Sequence, residues 1–371
     1  MRAAWYEKRG PARKVFRVGE LPTPEPGPGE LRIRLAFSGI NPGDVKKRQI
    51  RPAAAPPGFP LIVPHSDGAG VVDAVGDGVS AAWVGRRAWC SYAQSYRPQG
   101  TAAQYTVVPE GCVGALPDSV SAEQGACLGI PGITAHRALF ADGPVTGRTV
   151  VVAGALGSVG RAAAVLARRA GALVVGTVTR PDQLDELREL GVDRAACRGT
   201  PEAAGTEAGP AGTGRDRADT GSEWEDTGPL WWDTGSDRAQ DGADVLDAVL
   251  ALTGGRGADR IVEVAFDADA GLDARLLAPG GTIAAYATGA PAPALPFWPL
   301  AFKNATVRLL GYDDFPREAV RLAVPDITAA AAASALRYPI AAVHPLDAIA
   351  AAHEAVEHPS TPGRVLLALP D

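Results

Sequence analysis

The chain has little of what would place it outside a cell or within a membrane. Its four cysteines, Cys90, Cys112, Cys127 and Cys197, are scattered through 371 residues without a C-x-x-C pair. That spacing argues against a disulfide framework and a cysteine-rich zinc site, and for a reducing, cytoplasmic setting. No uninterrupted apolar run reaches the roughly 20 residues that cross a bilayer, so no membrane partner is expected. The opening residues, Met1-Arg2-Ala3-Ala4-Trp5-Tyr6-Glu7-Lys8, lack the apolar centre of a signal peptide. A net charge of −6 gives no reason to expect nucleic acid as a partner.

What acidity there is sits in one place. Residues 200–243 carry ten acidic side chains and three arginines, a net of −7, which leaves about +1 for the rest of the chain. The same segment holds Asp219-Thr220-Gly221, Asp226-Thr227-Gly228 and Asp233-Thr234-Gly235, each seven residues from the last. A glycine in every repeat argues against helix and for a flexible insertion. Trp224, Trp231 and Trp232 within it need a surface to cover them.

At this length two domains are expected. Residues 1–120 read as β-rich, with Leu31-Arg32-Ile33-Arg34-Leu35 alternating apolar and charged as a half-buried strand does. After Ser121, a helix cap, the chain alternates strands and helices, which implies a parallel sheet covered on both faces. The centre of that part is Thr149-Val150-Val151-Val152-Ala153-Gly154-Ala155-Leu156-Gly157-Ser158-Val159-Gly160. An apolar strand meets a glycine turn there, and the turn opens onto a helix that Gly171 stops. Such a turn presents backbone N–H groups and a positive helix end to a pyrophosphate. Gly154, Ala155, Gly157, Ser158, Val159 and Gly160 are therefore candidate cofactor residues. A dinucleotide-binding strand usually ends in an acid that accepts from the ribose 2′-hydroxyl. Here the next strand ends Thr177-Val178-Thr179-Arg180, with no acid before Asp182. Thr177, Thr179 and Arg180 suit a 2′-phosphate, which favours NADPH over NADH.

Several stretches together resemble one family. Gly39-Ile40-Asn41-Pro42-Gly43-Asp44, Asp67-Gly68-Ala69-Gly70-Val71-Val72, Gly100-Thr101-Ala102-Ala103-Gln104-Tyr105, the Gly154–Gly160 turn and Leu277-Ala278-Pro279-Gly280-Gly281 stand in the order found in medium-chain dehydrogenases/reductases. The chain is most similar to the zinc-independent quinone oxidoreductase branch. The resemblance implies an α/β protein with a GroES-like β-rich catalytic domain, residues 1–123 and 300–371. A Rossmann domain with a doubly wound parallel sheet would occupy residues 124–299, interrupted by the 200–243 insertion. Zinc-dependent members carry a cysteine where Asn41 stands and a histidine where Ser66 stands, so no metal is expected; His65 is one residue out of phase.

The implied chemistry is hydride transfer from NADPH to a quinone or an α,β-unsaturated carbonyl. Asn41, Lys46, Lys47 and Thr134 are the catalytic candidates, with Asn41 placed to donate to the substrate oxygen and Asp44 to brace its loop. Tyr286 and Thr288 hold the family's place beside the carboxamide. Phe266 stands where a glycine gives the cofactor room, and is expected at the nicotinamide end of the cleft. Arg364 matches a basic family position and reads as a surface or domain-interface residue, and His136 as outward-facing. A homodimer is expected by resemblance. An enoyl-thioester reductase, and a cofactor-binding protein without turnover that uses the insertion for interactions, remain alternatives.

Overall fold

A computed structural model describes residues 1–49, 58–199 and 242–370. The acidic insertion, its repeat and its three tryptophans lie outside the described residues, apart from Gly242 and Ala243.

The first body is built on the long strand Glu30–Ile40, where Leu31, Ile33 and Leu35 turn inward and Arg32 reaches Asp73 on the neighbouring strand. That neighbour, Asp67–Val75, runs antiparallel to it, and strands Arg87–Cys90 and Val113–Ala115 follow outward. On its other side lies Arg364–Ala368, also antiparallel, with Val365 opposite Ile40. Parallel to that comes Ile340–Pro345. The end of the chain thus completes the sheet that its first hundred residues begin.

The second body is a parallel sheet. Its strands, in spatial order, are Arg194–Cys197, Leu173–Val178, Thr149–Val152, Ala258–Glu263, Leu277–Ala285 and Thr306–Leu309. Numbered along the chain this is 3-2-1-4-5-6, the doubly wound order. Thr149–Val152 is buried at every position, as a central strand covered on both faces should be. Ser121 caps the short helix after the first body by accepting from Gln124 N–H. Gly171 and Gly191, at φ +80° and +83°, stop the helices Ser158–Arg169 and Leu184–Glu189.

One boundary differs from the sequence reading. Thr306–Leu309 pairs with Leu277–Ala285, so the second sheet continues past residue 300. The strand is short and half exposed, and its pattern alone did not assign it to either sheet. The two bodies share a core through the buried helix Gly129–Phe140. Its Ile133 and Leu139 join one apolar cluster with Trp89 of the first sheet, Val150 of the second and Leu166 of the helix Ser158–Arg169.

Candidate active site

In a doubly wound sheet, ligands bind beyond the carboxyl ends of the strands where the order reverses, here between Thr149–Val152 and Ala258–Glu263. The glycine turn occupies that place. Gly154 takes φ +60°, and its N–H donates to Thr177 Oγ1 at 3.3 Å. A Cβ on Gly160 would stand 2.3 Å from the Gly154 carbonyl oxygen, so only glycine lets helix and turn approach this closely. Ala155 is buried, Ser158 and Val159 are half-buried, and Gly157 caps the helix Ser158–Arg169 without any side-chain hydrogen bond. No acid stands in that helix's first turn. The amides and the positive end are left for an anion.

Facing the turn, a pocket of about 280 Å³ is closed on its far side by Tyr338, Pro339, Pro362 and Gly363 of the first body. A second pocket of about 240 Å³ shares Ser158 and Gly363 and runs on to Ile40, Pro42 and Arg364. Together they form a cleft between the bodies, and the cradle at Gly154–Gly160 fits a dinucleotide.

Asn41 lies at the end of strand Glu30–Ile40. Its Nδ2 donates to Asp67 Oδ2 at 2.8 Å, its Oδ1 accepts from Arg364 Nη1 at 2.9 Å, and its backbone N–H donates to Asp44 Oδ2 at 2.8 Å. Asp67 Oδ1 also accepts from Ile130 N–H at 2.9 Å. Burial pushes the Asp67 carboxyl up to about 6 and the Asp44 carboxyl up to about 7, against the pull of Arg364 and Lys47 respectively. The Asn41 amide is therefore oriented by an acid on one side and a guanidinium on the other, with one Nδ2 hydrogen left over. Thr134, buried, follows Ile130 by one turn on the same helix face.

The other sequence candidates fall into distinct places. Lys46 is exposed. Lys47 Nζ is held by Asp313 at 2.8 Å and by the Gln94 carbonyl at 3.1 Å. Thr179 and Arg180 are exposed at the end of their strand, and Arg180 Nε donates to Asp182 at 3.1 Å. Tyr286 is half-buried, while Thr288 Oγ1 donates to Asp267 at 3.2 Å on the surface.

Three expectations need correction. Phe266 is only 4% exposed and packs with Val151, Val249 and Ile261 on the opposite sheet face, leaving no ring surface to stack on a nicotinamide. Starting a helix turned it inward. Arg364 is not a surface residue: its strand lies inside the first sheet, and the buried side chain lines the cleft between the bodies, which leaves the domain-interface reading standing. His136 is also buried, with Nε2 3.1 Å from Asp326.

Sequence reasoning missed two networks. Asp67 and Arg364 were seen as family signatures, but nothing local pairs them. The second is a buried hydrogen-bond chain. Thr101 Oγ1 donates to the Asp67 carbonyl at 2.7 Å, so Ser38 Oγ, also at 2.7 Å, must donate to Thr101. His65 Nδ1 then donates to Ser38 at 2.9 Å. His65 Nε2 is left to accept from His353 Nε2 at 2.8 Å, and His353 Nδ1 accepts from Arg48 Nε at 3.4 Å. Both imidazoles are neutral in this arrangement, and burial pushes His65 down to about 3 and His353 likewise well down. Among the described residues no group of three His, Cys, Asp or Glu is placed to hold a metal ion, and the residues around Asn41 do not fit one.

Comparison with known proteins agrees with this architecture. Residues 27–118 match the alcohol dehydrogenase GroES-like domain, and residues 234–367 match the family described as zinc-binding dehydrogenase. Over 174 residues the chain is 35% identical to the quinone oxidoreductase of Rattus norvegicus, a stretch covering 46% of this chain and 50% of that protein. The chain thus spans about half the length of the curated relatives it matches. Among solved structures, an NAD-dependent alcohol dehydrogenase is similar over the full length of both chains, at 25% identity and a TM-score of 0.76. A mycobacterial quinone oxidoreductase is similar over 99% of both, at 25% identity and a TM-score of 0.73. With its GroES-like and Rossmann bodies and these relatives, the chain belongs to the medium-chain dehydrogenase/reductase superfamily of oxidoreductases and is quinone oxidoreductase-like.

Proposed function

We propose that the chain is an NADPH-dependent, metal-independent reductase acting on a quinone or an α,β-unsaturated carbonyl. The observation that carries this reading is the cleft in which the uncapped glycine turn faces the first body, with Ile40 and Pro42, the chain neighbours of the oriented Asn41, and its partner Arg364 in the lining. When bound, the nicotinamide supplies a hydride, and a proton from water completes the two-electron reduction. The chain's own part is positioning and polarisation. The free Nδ2 hydrogen of Asn41 is directed at the substrate oxygen, and Asp67 and Arg364 stop the amide from turning away. Of the two lysines, Lys46 is exposed, whereas Lys47 is committed to Asp313. No carboxylate ends the strand Leu173–Val178, which supports a phosphorylated cofactor.

Loss of nicotinamide absorbance with quinones, free enones or enoyl thioesters tests the reading. Turnover with quinones or enones is expected. Absence of turnover with every acceptor would overturn it, and turnover with thioesters alone would replace it by the thioester reading. We further propose a homodimer through the strand Thr306–Leu309, the last of its sheet among the described residues, supported by the exposed Leu309 on it and the exposed Phe297, Trp298 and Phe302 in the segment just before it.

A further inference from the structure

The glycine-turn pocket holds a cation that the sequence pattern did not single out. Arg161 follows Gly160 directly and lies in the first turns of a 12-residue helix, where a positive charge opposes the helix dipole. Its side chain is nevertheless only 14% exposed, against 57% for Arg180. Arg161 lines the pocket with Gly157, Ser158 and Gln183, and its buried Nε has no hydrogen-bond partner among the described residues. Tyr338 lines the opposite wall. It is 3% exposed, and its buried hydroxyl likewise has no partner among the described residues. A buried guanidinium nitrogen left unsatisfied on a pocket-lining side chain marks a place for an acceptor that the chain itself does not supply.

We infer that Arg161 is the residue that selects the phosphorylated cofactor, by pairing with the 2′-phosphate of NADPH. The inference rests on the cofactor reading above and assigns that selectivity to a residue outside the strand end. A diphosphate is met by the free amides along the helix axis. Arg161 instead leans off that axis toward the segment after strand Leu173–Val178, where Nη2 meets Glu186 Oε1 at 2.7 Å and Gln183 joins the pocket wall. The ribose 2′ position of a bound dinucleotide belongs at that strand's end. Glu186 is 54% exposed, so its pair with Arg161 is screened by water and holds the guanidinium only weakly. A phosphate with about −1.5 to −2 charges at neutral pH is the stronger partner for the arginine fork. Arg180 is a weaker candidate, being solvated and clasped by Asp182.

Titration calorimetry of the full chain with NADPH and with NADH tests the assignment. Arg161→Met should weaken NADPH by about 10- to 100-fold and NADH by less than about 2-fold, with the melting temperature kept. Arg161→Lys should recover part of the loss, since it keeps the charge and gives up the fork. Glu186→Gln should tighten NADPH by removing its competitor. Equal loss of both cofactors in Arg161→Met would overturn the proposal and return the arginine to the diphosphate or to folding. No loss at all would also overturn it. Wild-type protein that binds NADH as tightly as NADPH would fail the underlying cofactor reading instead, a result visible before any substitution is made.

Discussion

His65 shows how much a single buried side chain constrains. Its backbone sits at φ +75°, a region that costs a non-glycine residue about 1 kcal/mol or more. The hydrogen-bond chain from Arg48 to the Asp67 carbonyl fixes that ring and admits no second proton on either imidazole. In the unfolded chain both histidines titrate near 6.5. Their folded values are depressed, so their contribution is fully present above about pH 6.5 and is lost as pH falls through those folded values, about 3 for His65. Replacing His353 with Gln removes one titration while keeping a donor for His65. Between pH 7.5 and 5, denaturant unfolding should show wild type losing about 1–2 kcal/mol more than His353→Gln. Equal losses would show that the histidine charges in the native state. At this scale the sequence was informative about Asn41 and the Asp44 that braces it, because that loop chemistry is local. It was silent on Asp67 with Arg364 and on His65 with His353, because those pairings depend on which strand lies beside which. Phe266 was misjudged for the same reason. A residue after a strand end faces the cleft or the core according to the helix that follows.

Among the elements, the glycine turn was the most legible. Strand, turn, helix and the stop at Gly171 all follow from spacing and backbone sterics. Its tolerance is correspondingly small. Gly160→Ala places a methyl group against the Gly154 carbonyl, which cannot move without disturbing the N–H donated to Thr177. We expect at least a 10-fold loss of NADPH affinity by fluorescence titration, with a stability cost of about 1–3 kcal/mol; unchanged affinity would mean that the cofactor does not approach this backbone. The strand Thr306–Leu309 was the least legible element. Four residues without strong alternation carry little signal, and only the neighbouring strand assigns them. Among the described residues nothing pairs with its outer edge, and Leu309 is 72% exposed. Light scattering should give about twice the monomer mass of 38.1 kDa, and Trp298→Asp combined with Leu309→Lys should return it to the monomer. A wild-type monomer would remove the edge from consideration.

For the whole molecule, the two bodies meet at more than the cleft. Lys47 binds Asp313 at 2.8 Å, and Tyr96 Oη donates to Asp314 at 2.9 Å, tying the first body to the turn after the last strand of the second. Lys47→Met with Tyr96→Phe should speed hydrogen exchange across residues 310–316 by about 5-fold or more, the equivalent of roughly 1 kcal/mol of lost closure. Unchanged exchange would show that the shared core around Gly129–Phe140 holds the bodies unaided. The order of assembly follows from the contact between Asn41 and Arg364, which stand 323 positions apart. At about 5–20 residues per second, a ribosome needs roughly 16–65 s to supply the arginine after the asparagine has emerged. Through that interval Asp67 has no guanidinium facing it, and strand Glu30–Ile40 has one edge without its C-terminal neighbour. The first body therefore cannot complete its sheet until the final strand is made, and a truncation that removes that strand should leave the sheet incomplete permanently.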